Sequence, residues 1–326
     1  MAREHFGSRM GVLLAMAGGA VGLGNMWRFP YLVGKNGGAA FILVYLLFVV
    51  FLCLPILVSE YALGRRTQKN AFGAFKMLSK NKSWSLIGIF AVLAAVCVLS
   101  FYCVVGGWSV KYLVESCKFN MPILDSSYFT GFISSSFAPV IYTLIFLALT
   151  GSVLVLGIQK GIERFSKVMM LLLCLLIILI AIRSVTLPGA MEGLKYLFVP
   201  NLNALNGKAL LEALGQSFFS LSIGCGTVLT YASYVSKKEN IITTSFMVAA
   251  FDTLFALVAG IAIIPAVFAI AYMNGATPEI GAGPGLVFIT LPSVFNAMPM
   301  GNIVAILFFV TLLIAAITSA ISLMET

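Results

Sequence analysis

The sequence predicts an all-α polytopic membrane protein with a five-helix inverted repeat, in which helices one and six are broken. Three observations predict it. Of 326 residues, 61% are hydrophobic and only 10% charged, against roughly a quarter charged in soluble domains, and the mean hydropathy is +1.06. Apolar runs near 9–34, 39–64, 86–113, 137–159, 165–185, 209–235, 241–273 and 302–326 are long enough to cross a bilayer, which takes about 20 residues. The first and sixth runs are interrupted by glycine and polar residues in mid-span.

Span one sets the central question. Residues 18–30 read GGAVGLGNMWRFP, with Gly18, Gly19, Gly22, Gly24, Asn25, Arg28 and Pro30 among them. Each weakens a helix or is costly to place in hydrocarbon. Irregular backbone persists at membrane depth only where protein or a water-filled cavity surrounds it, so the stretch predicts a binding site. Its glycines run GxxGxG inside an apolar helix with no preceding strand, which excludes a dinucleotide-binding loop.

Spans two and seven carry the carboxylates Glu60 and Asp252. Carboxylates inside membrane segments are functional by default. With the N-terminus inside, inner segments hold Arg3 and Arg9, then Arg65, Arg66, Lys69, Lys76, Lys80 and Lys82, then Lys160, Arg164 and Lys167, then Lys237 and Lys238. Outer segments hold Lys35, Lys111, Lys118, Arg183, Lys195 and Lys208. The inner excess follows the positive-inside rule and predicts a multi-pass protein of the cell inner (plasma) membrane with a cytoplasmic N-terminus. It also accounts for the net charge of +9 without nucleic acid, whose binding needs an independent basic fold. The six cysteines are scattered with no CxxC spacing, so neither a disulfide framework nor a metal site is expected. The opening MAREHFGSRM does not read as a signal peptide.

Span six repeats the irregularity of span one. GQSFFSLSIGCGTVLTYASY, residues 215–234, places Ser220, Ser222, Gly224 and Gly226 in mid-span. One such stretch is equally well read as a small-residue packing face. Two, five spans apart, imply repeats related by internal pseudo-symmetry, covering 1–185 (spans one to five) and 186–326 (spans six to eight). That arrangement points to a transport site at the midplane. Where a helix unwinds, its carbonyls and amides lose their intrahelical partners. The carbonyls suit a hard cation, and the half-helix N-termini suit a carboxylate.

These residues carry a resemblance. AVGLGNMWRFPY, NGGAAFILVY, KGIERFSK, FFSLSIGCGTVLTYASY and AAITSAISL make the chain similar, over essentially its whole length, to the neurotransmitter:sodium symporters, and to their bacterial amino-acid transporter branch in particular. The resemblance implies two sodium sites. The first would use the Ala20 carbonyl, Asn25, Ser220 and Asp252, completed by the substrate's carboxylate. The second would use carbonyls of Gly18, Val21 and Ala315 with the hydroxyls of Thr318 and Ser319. The substrate carboxylate would meet amides near Gly22 and Gly24 and the Tyr102 hydroxyl, and its amine would meet carbonyls around Ala20, Phe219 and Ser222. Phe219 and Tyr102 would form a lid, and Val98, Ser222, Cys225, Ser319 and Leu323 would line the side-chain pocket. Arg28 would belong to the outer gate, Arg3, Phe6 and Tyr234 to the inner one, and Glu60 would secure the unwound part of span six. For Thr318 and Ser319 the plain alternative is a hydrogen bond to the preceding turn of their own helix.

Departures from the family pattern carry expectations too. Phe6 stands where the family has an inner-gate tryptophan, keeping the aromatic contact without the indole donor. Gly19 replaces an asparagine and should loosen the unwound region. Gly22 replaces the aspartate of monoamine members, leaving room for an amino acid's own carboxylate. Tyr45, Gln216 and Ser220 match three of the four chloride-binding positions of animal members, but Ala256 replaces the fourth. Asp252, a turn earlier, supplies fixed negative charge, so no chloride requirement is expected. The family has eleven or twelve spans, so a chain ending in the eighth is expected to be truncated, its second repeat incomplete, and transport-incompetent alone.

The function these expectations add up to, for the complete protein, is sodium-coupled secondary active symport of a neutral, bulky aliphatic or aromatic amino acid by alternating access. The partners are that substrate and the bilayer, with no enzymatic step. The rivals are a non-transporting amino-acid sensor of the same fold and an inactive fragment.

Overall fold

The computed structural model describes residues 5–118, 126–281, 283–296 and 298–326, and the regular elements among them are all helical. Ser8 caps α1 (Arg9–Ala20), its hydroxyl oxygen accepting from the Gly11 amide at 3.0 Å. At Val21 the backbone becomes extended. Helix resumes as α2 (Gly24–Lys35) after a 52° bend. Its first turn, Gly24–Arg28, is π-helical, and Pro30 stands where the regular turns Phe29–Lys35 begin.

The chain continues as α3 (Ala39–Thr67), α4 (Ala71–Leu78), α5 (Ser85–Cys117), α6 (Ser126–Ile133), α7 (Ala138–Val155), α8 (Ile158–Val185) and α9 (Ala190–Phe198). Then follow α10 (Gly207–Ser220), α11 (Thr227–Ala232), α12 (Ile241–Met273), α13 (Leu286–Asn296) and α14 (Gly301–Glu325). Among the described residues, six helices are long and apolar enough to cross a membrane unaided, and the bent α1–α2 pair, counted as one, is a seventh. The remaining apolar run, 209–235, divides into α10 and α11 around the non-helical residues 221–226.

That second break has a local cause. Ser222, Gly224 and Gly226 have φ of 53°, 85° and 74°. The left-handed region costs a residue with a Cβ about 1–2 kcal/mol, so Ser222 needs compensating contacts. Its hydroxyl donates to the Gly19 carbonyl at 3.3 Å, and the Gly224 amide donates to Glu60 at 2.8 Å. The two breaks therefore hold each other. They sit at the centre of the bundle, where α1 packs on α8, α12 and α14. Burial separates core from rim: 72% of the apolar stretch of α14 and 67% of that of α12 are buried, against 11% in α7. The outer helices turn their leucines and isoleucines to lipid.

Candidate functional site

Two clusters of oxygen atoms flank the first break. In one, Asn25 Nδ2 donates to Asp252 Oδ1 at 2.8 Å, to the Asp252 carbonyl at 3.2 Å and to Ser220 Oγ at 3.1 Å. Ser220 Oγ donates to Asp252 Oδ2 at 2.6 Å, and the Gly22 amide donates to Asn25 Oδ1 at 3.0 Å. Asn25 and Asp252 are fully buried and Ser220 nearly so. No lysine or arginine pairs with Asp252 among the described residues. A buried carboxylate held only by neutral donors is costly unless a cation joins it.

The other cluster is neutral. Ser319 Oγ donates across to α1, to the carbonyls of Val21 at 3.0 Å and Gly18 at 3.4 Å. Thr318 Oγ1 donates within α14, to the carbonyls of Ile314 at 3.0 Å and Ala315 at 3.1 Å. The plain alternative thus describes Thr318 but not Ser319, whose partners lie on another helix.

Between the clusters lies Gly22, which the geometry requires to be glycine. A Cβ there would collide with Ser319 Oγ and lie 3.0 Å from Tyr102 Oη. The buried Tyr102 hydroxyl faces the backbone amides of Leu23 and Gly24. Its ring lies 6.4 Å from that of Phe219, which also covers Gly24. Leu323 is buried, while Val98, one turn before Tyr102, and Cys225 are half-buried. Beneath the two breaks, Met16, Gly19, Ala20, Ser222, Tyr231 and Ser322 line a cavity of about 20 Å³, room for about one water. Gly19 is itself close-packed, with Ser322 Oγ 3.2 Å from where its Cβ would stand.

Aromatic and cationic side chains stand at both ends of the site. At the end away from the N-terminus Arg28 lies 5.1 Å above the Phe219 ring and donates to Gln216 Oε1 at 2.7 Å. Gln216 in turn donates to the Gly24 carbonyl at 3.1 Å. At the N-terminal end the Phe6 ring meets those of Tyr231 and Tyr234 edge-on at 6.1 and 6.4 Å. The Phe6 amide donates to the Tyr234 carbonyl at 3.2 Å. Arg3, the other expected inner-gate residue, lies outside the described residues.

Two carboxylates at the inner end escaped the sequence reading. Glu163 accepts from the Gly7 amide at 2.7 Å, from Ser8 Oγ at 2.8 Å and from Lys167 at 2.7 Å. It thereby fastens the start of α1 onto α8. Glu325 accepts from the Tyr234 hydroxyl. The signal was available for both. Glu163 lies inside the KGIERFSK motif, and Glu325 is the lone carboxylate of an apolar run.

Two broken helices meeting in a bundle core, with buried oxygen clusters beside them and aromatic and cationic side chains at either end, are the architecture of a membrane transporter. The profile of the "Sodium:neurotransmitter symporter family" matches residues 3–131 and 138–326. A Bacillus subtilis protein described as the uncharacterized sodium-dependent transporter YhdH is 42% identical over 325 residues, covering 98% of this chain and 71% of its own. An uncharacterized sodium-dependent transporter of Haemophilus influenzae is 36% identical over 337 residues, covering 99% and 72%. The crystal structure of MhsT in complex with L-phenylalanine superposes with a TM-score of 0.90 at 44% identity, covering 99% of this chain and 73% of that one. The chain belongs to the sodium:neurotransmitter symporter family, and its family and fold are those of transporters rather than enzymes.

Proposed function

We propose that this protein carries a neutral, bulky amino acid together with sodium by alternating access, with two sodium ions as co-substrates. The observation that carries the reading is Asp252, a buried carboxylate with no cationic partner among the described residues, hydrogen-bonded to the polar residues of both broken helices. Oxygen donors only, one of them anionic, suit a hard cation. A sodium ion here would compensate Asp252 and take Asn25 by its amide oxygen, freeing the Gly22 amide now bound to that oxygen. The substrate's carboxylate would then meet free amides and the Tyr102 hydroxyl, which joins cation and substrate in one site. The second cluster, around Ser319 and Thr318, is neutral and would hold the second ion by dipoles alone.

Substrate class follows from what the pocket lacks. No side-chain carboxylate stands at Gly22, and Cys225 leaves space that each added CH₂ fills at about 0.8 kcal/mol. L-phenylalanine in the related MhsT structure supports a large side chain. Asp252 supplies the negative charge that chloride would otherwise bring, so chloride is not required. The basic excess on the N-terminal side supports a cytoplasmic location for that side. The test is sodium-dependent binding of labelled L-phenylalanine to the purified protein, followed by uptake into proteoliposomes in sodium chloride and in sodium gluconate. Binding without uptake would favour a sensor, and loss of uptake in gluconate would sink the charge argument. Cys225→Phe should shift competition by about tenfold toward smaller amino acids, the worth of one or two buried methylenes.

A further inference from the structure

The short helix α4 and its approaches carry chemistry that the central site does not use. From Tyr61 to Val110 the chain has six basic residues, Arg65, Arg66, Lys69, Lys76, Lys80 and Lys82, and no acidic one. Arg65 is engaged, donating to the carbonyls of Glu239 and Lys237. Arg66, Lys69, Lys76 and Lys80 are exposed and make no ion pair among the described residues. On the same element Met77 is 56% exposed and, just beyond it, Trp84 is 55% exposed, with Phe72 and Leu78 also open. Lys76 lies over the Phe72 ring at 5.8 Å, so cation and apolar surface share one face.

This face belongs to a fixed element. Asn70 caps α4 by accepting from the Gly73 amide at 3.0 Å. Ala71 and Ala74 are buried against Ala91 and Leu229. Gly88 lets the α4 backbone lie directly on α5, since a Cβ there would be 2.6 Å from Phe72 Cα. With its small residues spent inward, α4 turns Phe72, Lys76 and Met77 outward. Its level is set by its neighbours: α3 ends at Thr67 and α5 begins at Ser85, so α4 lies at the membrane boundary on the N-terminal side. The exposed apolar surface continues from Trp84 through Leu86, Ile87 and Phe90 along the lipid-facing side of α5.

We propose that α4, with Lys69, Lys76, Lys80, Phe72, Met77 and Trp84, is a docking surface for anionic phospholipid of the leaflet on the N-terminal side. The lysines take the phosphate headgroup and the apolar side chains lie against the upper acyl chain, the division of labour of an interfacial amphipathic helix. Charge complementarity and continuity with the lipid-facing surface select lipid over a soluble polyanion. Because Ala71 also faces Gly226, whose Cβ would stand 2.8 Å from that of Ala71, the bound headgroup sits one helix away from the second break. The inference rests on the membrane-spanning fold and holds whatever the central site carries.

The experiment uses the whole chain in phosphatidylcholine vesicles containing increasing fractions of brominated phosphatidylglycerol or brominated phosphatidylcholine. Quenching of tryptophan fluorescence is read against Trp84→Phe, which isolates the Trp84 signal. Phosphatidylglycerol should quench Trp84 at a lower mole fraction than phosphatidylcholine. That selectivity should fall by about fivefold for each lysine removed in Lys69→Gln, Lys76→Gln and Lys80→Gln. The wild-type protein should also lose it in 1 M sodium chloride, where charges are screened beyond about 3 Å. Glutamine at Lys160, Lys237 and Lys238, basic residues on the same side, should leave it intact. Equal quenching by the two lipids, selectivity that survives high salt, or equal loss in both triple variants overturns the proposal.

Discussion

The two oxygen clusters flank the same break in the first span, yet they are built on opposite principles. The Asn25–Ser220–Asp252 cluster joins α2, α10 and α12 around a formal charge. The Ser319 cluster joins α14 to α1 through carbonyls and hydroxyls alone. A charged group in a low-dielectric interior dominates its surroundings, whereas neutral dipoles contribute in small, similar portions. The first cluster should therefore fail as a unit when one member is lost, and the second should weaken by degrees. On the proposed function, the first would set whether a cation is held at all, and the second how tightly α1 is drawn to α14.

The harshest break in the comparison is Asp252→Ala. It removes the only formal charge of the first cluster and the carboxylate oxygens to which Asn25 and Ser220 donate, leaving Asn25 only the backbone carbonyl of residue 252 and Ser220 Oγ. Hydrogen bonds to a charged group contribute about 1.5–3 kcal/mol each, so two lost together should weaken sodium-dependent binding by more than about a hundredfold. Labelled L-phenylalanine binding across a sodium titration measures it. Binding within tenfold of wild type would place the cation elsewhere.

Gly22→Ala comes next, because Gly22 touches both clusters. Its amide is bound to Asn25, and its missing Cβ makes room for Ser319 Oγ and Tyr102 Oη. Overpacking a tight site typically costs about 1–3 kcal/mol, so binding should drop by roughly ten- to a hundredfold. The distinguishing outcome is that both sodium dependence and substrate affinity suffer in this single variant. An effect on one of them alone would mean that the clusters are independent.

Much of this contrast was legible in the sequence, and the unread part has a physical reason. Hydropathy exposes eight spans because lipid demands about 20 apolar residues for each. Glycines and polar residues expose both breaks because such sequence is tolerated only around a site. Asp252 and Glu60 stand out for the same reason. What composition does not carry is direction. Thr318 and Ser319 are adjacent hydroxyls on one helix, and only the packing of α14 on α1 shows that one reaches inward along its own helix and the other across. Glu163 was missed because its partners, the amide of Gly7 and the hydroxyl of Ser8, lie some 155 residues away in sequence and form no local pattern. Glu325 was missed similarly, since its partner Tyr234 lies 91 residues away, in the turn after α11.

That difference of direction yields the smallest and sharpest prediction. If the second cluster contributes by degrees, its two hydroxyls should contribute unequally. Ser319 Oγ lies 3.0 Å from the Val21 carbonyl and is already placed at the ends of the broken α1, so Ser319→Ala removes an oxygen from between two helices. A single neutral hydrogen-bonding group is worth about 1 kcal/mol, which sets the expected loss of sodium affinity at about fivefold. Thr318 Oγ1 is satisfied twice by its own helix, at 3.0 and 3.1 Å. To serve a cation it must turn a lone pair outward while its proton stays on α14, which a hydroxyl can do. Thr318→Val keeps the shape and removes that lone pair, and should cost no more than about twofold, since the replacement also frees Ile314 and Ala315 of a competing partner. The measurement is the sodium dependence of binding in the two variants side by side. Equal losses would show that the two hydroxyls act alike once a cation is present, and that the direction they take in this structure does not decide their contribution.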